Sequence, residues 1–106
     1  MRRIMVRYTV KSERATENVE LVRAVYEELH RTKPAGLRYA TFRLEDDVSF
    51  VHISSIETDD GHNPLSDVDA FARFQENIGE RLEEGPVVSE LREIGSFRFF
   101  GHDVGR

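Results

Sequence analysis

The sequence contains no cysteine and no tryptophan. Without cysteine, the chain has no disulfide, no thiolate nucleophile and no thiolate ligand for zinc or an iron–sulfur cluster. No apolar run approaches the roughly 20 residues that cross a membrane, and Met1, Arg2 and Arg3 lead straight into a strand-like segment rather than a signal-peptide core. We therefore expect a cytoplasmic protein, and any catalysis must use oxygen groups, nitrogen groups or a borrowed cofactor. No residue pattern identifies a particular cofactor or metal, and we expect neither.

Length and charge limit the class of partner. With 106 residues, the chain fits one domain, residues 1–106, with a core large enough to need no metal or disulfide. Its 20 acidic and 15 basic residues give a net charge of -5, which has the wrong sign for counterion-release binding to nucleic acid. We expect small molecules or other proteins as partners, and neither nucleic acid nor a membrane.

Hydrophobic residues repeat with periods of two, 3.6, two, two, 3.6 and two along the chain. The alternating segments 3–11, 37–44, 48–57 and 87–101 predict strands, and residues 15–31 predict a helix. A second helix is predicted from a cap at Ser66 or Asp67 to a stop at Gly85 and Pro86. The order βαββαβ predicts a ferredoxin-like α+β fold: a four-stranded antiparallel sheet with two helices on one face.

Two irregular features interrupt this pattern. Residues 58–64 (TDDGHNP) form the only substantial loop, which we interpret as a lid or rim. Gly95 predicts a bulge or break in the last strand, because a residue without a side chain marks such positions.

The second face of the predicted sheet has no helix to cover it. If Ile4, Val6, Tyr8 and Val10 pack beneath the helices, the opposite face is apolar. Its predicted members are Met5, Val51, Ile53, Phe97 and Phe99. An exposed apolar face of this size indicates association, so we expect a two-fold homodimer that packs sheet against sheet.

Three short segments carry a resemblance to a known family: residues 6–11 (VRYTVK), 36–39 (GLRY) and 50–53 (FVHI). The chain resembles the dimeric α/β-barrel superfamily over residues 3–100, in particular its antibiotic-biosynthesis-monooxygenase-like small proteins. The resemblance implies two ferredoxin-like protomers that join their sheets into a barrel, each with a pocket between sheet and helices. Known members include cofactor-independent oxygenases of aromatic polyketides, haem-degrading enzymes and many proteins without demonstrated activity.

The chain departs from this family at positions that carry chemistry. Oxygenases and haem-degrading members often have asparagine in strand one, tryptophan in strand three and histidine on helix two. At the matching positions this chain has Val6, Ile56 and a mainly apolar stretch around Phe71 to Phe74. These differences count against haem chemistry and weaken the match to the aromatic oxygenases.

His52 is the candidate catalytic residue. The pattern places it on the helix-facing side of the sheet, where a histidine with a near-neutral pKa can take a phenolic proton. Candidate substrate-binding residues on the same side or on helix two are Tyr8, Tyr39, Arg43, Ser54 and Phe74, with Thr41 and Gln75 beside them. The sequence assigns no activity; the enzymatic hypothesis is a cofactor-independent monooxygenase acting on a small aromatic or enolic substrate, with His52 as the base.

One alternative function stays open, a non-catalytic module, and another, RNA recognition, is disfavoured. Tyr8 and Tyr39 are also typical of half-buried core aromatics, with His52 as a satisfied strand histidine. The protein is then a non-catalytic module that binds a small hydrophobic or aromatic ligand or serves assembly. RNA recognition, which shares the βαββαβ order, is disfavoured because the third strand, VSFVH, lacks the basic-glycine-aromatic signature.

Overall fold

The computed structural model describes residues 1–100. Four strands and three helices follow one another in the order β1, α1, β2, β3, α2, α3, β4. The strands are β1 Arg2–Val10, β2 Leu37–Arg43, β3 Ser49–Ile56 and β4 Leu82–Leu91, and the helices are α1 Ala15–Thr32, α2 Asp69–Gln75 and α3 Ile78–Arg81. The predicted α+β fold with a four-stranded antiparallel sheet is confirmed.

The sheet has the strand order β2-β3-β1-β4, so β3 and β1 are central and β4 is an edge. Val6 on β1 lies opposite His52 on β3, and His52 lies opposite Thr41 on β2. Two residues further along β3, Ser54 lies opposite Tyr39 on β2. Because directly opposed residues point to the same side of a sheet, this register gathers these polar side chains on the helix-facing side.

Helix α1 packs on this side through a stripe that includes Val22 and Val25. They join a buried core with Tyr8 and Val10 of β1 and Phe50 of β3. The helix ends at Lys33, which takes the left-handed conformation and returns its N–H to the carbonyl of Leu29. Within residues 1–100, no helix is both long and apolar enough to cross a membrane.

The predicted second helix is wrong in its extent. It is two short helices, α2 and α3, because Asn77 between them adopts a left-handed conformation with φ of 55°. Neither predicted residue caps α2. Instead, the Glu28 carboxylate of α1 accepts hydrogen bonds from the backbone N–H groups of Asp69 and Ala70, at 3.1 and 2.9 Å, which ties the two helices together.

The fourth strand is also displaced from its predicted position. It begins at Leu82 and ends at Leu91, whereas residues 87–101 were expected to be extended. Gly85 and Pro86 lie inside the strand and not at a helix end, since an edge strand tolerates a proline that donates no ladder hydrogen bond. The register irregularity lies between Arg7 and Val10 of β1, opposite this segment, and not at Gly95.

Met5, Val51 and Ile53 lie together on the far face of the sheet, as expected, with Arg7 and Ser89 in the same rows. Phe97 and Phe99, however, lie beyond the end of β4. Phe99 and Phe100 border a shallow depression on this face, and the Arg3 guanidinium lies 3.8 Å from the centre of the Phe100 ring. The segment after β4 therefore folds back over part of the face. The predicted tail, residues 101–106, lies outside the described residues.

Candidate functional site

A cavity of about 550 Å³ lies between the helix-facing side of the sheet and the segment from residue 63 to residue 78. Its apolar wall is formed by side chains of β1, β4 and α2: Ile4, Val6, Val88, Phe71 and Phe74. The polar lining residues are Tyr8, Tyr39, His52, Ser54, Asn63 and Gln75. A mainly apolar cavity with a few convergent polar groups is typical of a small-molecule site.

His52 lies at the centre of the polar lining, with 5% of its surface exposed. Its Nε2 lies 2.7 Å from the Tyr8 hydroxyl, and its Nδ1 lies 2.6 Å from the Tyr39 hydroxyl and 3.1 Å from Thr41 Oγ1. Burial lowers the pKa of His52 to about 4, so the imidazole is neutral at neutral pH. Both ring nitrogens therefore have tyrosine partners, and neither is directed at the cavity as a free base.

The two tyrosines that contact His52 differ in their surroundings. Tyr8 is buried, stacks on Phe50 with ring centres 5.6 Å apart, and accepts a hydrogen bond from Asn18 Nδ2 at 2.9 Å. Tyr39 is half-buried and stacks on Tyr26 at 5.4 Å. Burial raises the pKa of Tyr8 to about 12 and raises that of Tyr39 further. Both phenols stay protonated at neutral pH and are available as hydrogen-bond donors.

A buried arginine closes the polar cluster on the side away from the cavity. Arg81 is 2% exposed, and its Nε donates to Asn18 Oδ1 at 3.3 Å. The rest of its guanidinium donates to the carbonyl oxygens of Phe74 and Glu76, at 2.5 and 3.3 Å. Among residues 1–100 no carboxylate forms an ion pair with it. This cation is therefore held by neutral acceptors.

The structure brings together most of the residues singled out from the sequence. Tyr8, Tyr39, His52, Ser54 and Phe74 all line the cavity, and the Phe74 and His52 rings lie 5.4 Å apart. Gln75 also lines the cavity. Thr41 does not line it, but its hydroxyl is hydrogen-bonded to His52 Nδ1 and to the Tyr26 hydroxyl, the latter at 2.7 Å.

Arg43 does not join them. It lies at the end of β2, exposed, where its Nε donates to the carbonyl oxygen of Asp47 at 3.0 Å. Strand alternation puts Arg43 on the correct side of the sheet, opposite Phe50, but the position is too close to the β2–β3 hairpin to reach the cavity.

Asn18 and Arg81 were not identified from the sequence. Asn18 is fully buried, and its spacing from Val22 and Val25 places it on the buried stripe of α1. A polar residue in such a stripe was the available signal. Arg81 gave no signal, because it becomes buried only through the turn that ends α3 and starts β4.

The part of the chain that the structure describes brings together no group of three or more histidine or acidic side chains that could hold a metal ion. His62 is hydrogen-bonded to Asp67, with Nε2 to Oδ2 at 2.7 Å, on an exposed loop. His30 lies at the end of α1, and His102 lies outside the described residues. His62 thus has one carboxylate partner, and no histidine among residues 1–100 belongs to a group of three or more converging ligands.

The sequence matches no protein-family model and no curated protein. Solved structures do match. A crystal structure of an antibiotic biosynthesis monooxygenase aligns with a TM-score of 0.70 and 18% identity, over 90% of this chain and 100% of that one. A provisionally assigned antibiotic biosynthesis monooxygenase from Nitrosomonas europaea aligns with a TM-score of 0.70 and 15% identity, over 88% and 89%.

A third such protein, from Caulobacter crescentus, aligns with a TM-score of 0.68 and 15% identity, over 89% of this chain and 90% of its own. At these identities, the similarity concerns the fold and not the activity. The resemblance predicted from the strand segments is confirmed at that level: the chain has the ferredoxin-like α+β fold of the antibiotic-biosynthesis-monooxygenase-like proteins.

Proposed function

We propose that this protein is a cofactor-independent monooxygenase that acts on a small aromatic or enolic substrate. The observation that carries the proposal is the cavity wall itself, in which His52 is held between the hydroxyls of Tyr8 and Tyr39 at 2.7 and 2.6 Å. A flat apolar ring fits among Phe71 and Phe74, while a ring oxygen finds a hydrogen-bond donor at the polar end of the cavity.

The reaction class follows from what such a site supplies. A substrate with an activated CH₂ group loses one proton to solvent to form its enolate, and the enolate reacts with dioxygen to give a C=O group. The released proton and the second hydrogen of the CH₂ group leave in one molecule of water. Dioxygen is the oxidant; one of its atoms enters the product and the other leaves as water. The protein's contribution is to bind the enolate oxygen and stabilise its charge, which lowers the cost of forming the electron-rich anion.

His52 has a changed role in this proposal. With both nitrogens engaged and a pKa of about 4, it is poorly suited to act as a free general base near neutral pH. We assign it instead to positioning Tyr39, whose hydroxyl contacts the substrate oxygen. Ser54 and Gln75 line the same cavity and set the orientation of the substrate.

Oxygen uptake tests the function directly. Purified protein is incubated aerobically with a panel of anthrones and quinols, with oxygen consumption and product followed together. We expect turnover that falls at least about tenfold in Tyr39→Phe and His52→Gln. The matched control is His30→Gln, because His30 is exposed at the end of α1 and does not line the cavity. Binding without oxygen uptake across the panel would favour the non-catalytic ligand-binding protein.

We propose further that the protein is a homodimer joined through the far face of its sheet. Phe42 and Val87 on this face are 51% and 61% exposed, and they belong to one row with Val51 and Arg7 across all four strands. Three of the four side chains in this row are apolar, with Arg7 as the charged member, and a second copy that covers the row removes their apolar surface from water.

Adjacent residues on β4 give a matched test of the dimer. Val87 lies opposite Arg7 and so belongs to the far face, whereas Val88 lies opposite Val6 on the cavity side. The two are similarly exposed, at 61% and 64%. We expect sedimentation at micromolar concentration to show a dimer for the wild type and for Val88→Asp, and a monomer for Val87→Asp. A monomeric wild type contradicts the proposal.

A further inference from the structure

A continuous chain of hydrogen bonds runs from the buried guanidinium of Arg81 to the cavity. Arg81 Nε lies 3.3 Å from Asn18 Oδ1, and Asn18 Nδ2 lies 2.9 Å from the Tyr8 hydroxyl. The Tyr8 hydroxyl lies 2.7 Å from His52 Nε2, and His52 Nδ1 lies 2.6 Å from the Tyr39 hydroxyl. These five side chains come from α1, α3 and three strands or their ends, so the tertiary fold assembles the chain.

The first group of the chain fixes the direction of every later hydrogen bond. A guanidinium only donates, so the Asn18 amide must present its oxygen to Arg81 and its NH₂ to Tyr8. Tyr8 then accepts from Asn18, and its own hydrogen goes to His52 Nε2. The neutral imidazole therefore carries its hydrogen on Nδ1 and donates it to the Tyr39 oxygen.

At the end of the chain, one hydrogen is left over. Tyr39 accepts from His52 at 2.6 Å. Thr41 Oγ1 is a second polar atom beside the Tyr39 hydroxyl, but it already has Tyr26 as a hydrogen-bond partner at 2.7 Å and His52 Nδ1 at 3.1 Å. Tyr39 also lines the cavity. Its O–H is therefore available to an oxygen of a bound ligand, and that oxygen must accept.

The positive charge of Arg81, at the other end of the hydrogen-bond chain, also favours a hydrogen-bond-accepting, negatively charged ligand. Arg81 is buried and hydrogen-bonded to neutral acceptors. Glu17 is the carboxylate whose field reaches it most strongly, but Glu17 is itself paired with Arg14, with Nε to Oε1 at 2.5 Å, and is partly exposed. A buried cation that is incompletely compensated favours negative charge nearby.

We propose that the cavity selects the anionic, hydrogen-bond-accepting form of its ligand, a phenolate or enolate, through the Tyr39 hydroxyl, and that Asn18 and Arg81 are the positioning residues that set this preference. The inference rests on the proposed function only for the class of ligand. The direction of the hydrogen-bond chain is independent of any turnover.

A single isosteric substitution reverses the chain. In Asn18→Asp, the carboxylate accepts from both Arg81 and Tyr8, so the Tyr8 hydrogen turns away from His52. His52 then carries its hydrogen on Nε2, and its Nδ1 accepts from Tyr39. The Tyr39 oxygen is left with a lone pair toward the ligand, and the preference shifts to a neutral ligand that donates.

The tautomer of His52 is measured first, by ¹⁵N NMR of the labelled protein at neutral pH, where protonated and unprotonated ring nitrogens have well-separated chemical shifts. We expect Nδ1–H in the wild type and Nε2–H in Asn18→Asp. His52→Gln identifies the resonances. An Nε2–H tautomer in the wild type would overturn the inference, whatever the ligand experiments give.

Ligand selectivity is measured with 4-nitrophenol, whose phenol and phenolate forms have different absorption spectra, and with 4-nitroanisole as a neutral probe of similar shape. We expect the wild type to bind the phenolate at least about tenfold more tightly than the phenol, which lowers the apparent pKa of the bound probe by about one unit. The preference should disappear in Tyr39→Phe and reverse in Asn18→Asp.

Several outcomes count against the inference. These are equal affinity for phenolate and phenol, tighter binding of 4-nitroanisole, binding of neither probe at millimolar concentration, or an unchanged preference in Tyr39→Phe. Should Asn18→Asp fail to fold, the wild-type tautomer and Tyr39→Phe still decide the matter. Failure to oxidise anthrones or quinols changes none of these readouts, so it refutes the proposed function alone.

Discussion

Replacing Tyr8 with phenylalanine removes one oxygen atom from the centre of the polar cluster and leaves the aromatic packing in place. Tyr8 is 3% exposed and stacks on Phe50, a contact that the phenyl ring of Tyr8→Phe retains. The lost hydroxyl leaves two buried groups without a partner: the Asn18 amide at 2.9 Å and His52 Nε2 at 2.7 Å. Water has little access to either group, because Asn18 and His52 are both buried.

The size of the effect follows from these two groups. A buried donor or acceptor left without its partner costs about 1 to 3 kcal/mol, so Tyr8→Phe, which leaves two such groups, should destabilise the protein by about 2 to 6 kcal/mol. Both tyrosines line the cavity, but Tyr39→Phe deletes the hydroxyl of a half-buried residue, whereas Tyr8 is 3% exposed. Water can replace the lost hydroxyl there, and we expect a cost of about 1 kcal/mol or less.

Urea unfolding followed by far-UV circular dichroism measures both variants under one protocol. With an m value of about 1.5 kcal/mol per molar, a loss of about 3 kcal/mol lowers the midpoint by roughly 2 M. An unchanged m value shows that stability, and not the denatured state, has changed. Equal midpoints for Tyr8→Phe and Tyr39→Phe would refute the reasoning, because the two substitutions differ in burial and in the number of bonds lost.

Three further perturbations test other parts of the molecule. Burial lowers the pKa of His52 from 6.5 to about 4, so between these pH values the unfolded chain binds a proton that the folded chain excludes. The free energy of unfolding should therefore fall by about 3 kcal/mol from pH 7 to pH 4. Urea titrations at each pH measure this fall, which should be smaller in His52→Gln. Glu28→Gln should lower the melting temperature at pH 7, because the group that accepts hydrogen bonds from the first backbone N–H groups of α2 loses its charge. The difference in melting temperature between wild type and variant should shrink at acid pH, where Glu28 is protonated. Gly36→Ala should cost about 1 to 2 kcal/mol, more than Gly61→Ala, because both glycines have positive φ but only at Gly36 would the new Cβ lie 2.6 Å from Thr58 Cγ2; equal losses in chemical unfolding would contradict the steric account.

The first half of the fold is predictable from the sequence, because its signals are local. The strand expected at residues 3–11 is Arg2–Val10, and the helix expected at 15–31 is Ala15–Thr32. Alternation of apolar and polar residues on β2 and β3 likewise gave those strands to within one residue at each end. In all four elements, one buried face repeats with the period of the structure that it forms.

The second half is less predictable, because tertiary pairing overrides the local pattern. Apolar residues keep helical spacing across Asn77: Phe71, Phe74, Ile78 and Leu82. The helix is nevertheless interrupted at Asn77, which adopts a left-handed conformation, and Leu82 pairs with Val10 of β1. This pairing adds a fourth strand along the edge of β1, and a longer helix would use residues that the strand needs. No pattern within the segment itself carries this information.

The same distinction separates the predicted and the missed parts of the site. Alternation placed Tyr8, Tyr39 and His52 on one face of the sheet, since side-chain direction in a strand is a local property. Arg81 enters the cluster only after α3 ends and β4 pairs with β1, so its burial is a product of the complete fold. The centre of the site is therefore predictable and its polar support is not.

Stability alone does not account for this polar cluster. Asn18, His52 and Arg81 are at most 5% exposed, and each must be held by hydrogen bonds that an apolar core would not need. A side chain such as leucine in place of His52 would pack against Phe74 with no polar group to satisfy. The cluster adjoins the cavity, ends at a tyrosine hydroxyl there, and has a direction that its buried arginine determines. An apolar core would be more stable at these positions, so we infer that ligand binding, and not core packing, accounts for the buried polar residues.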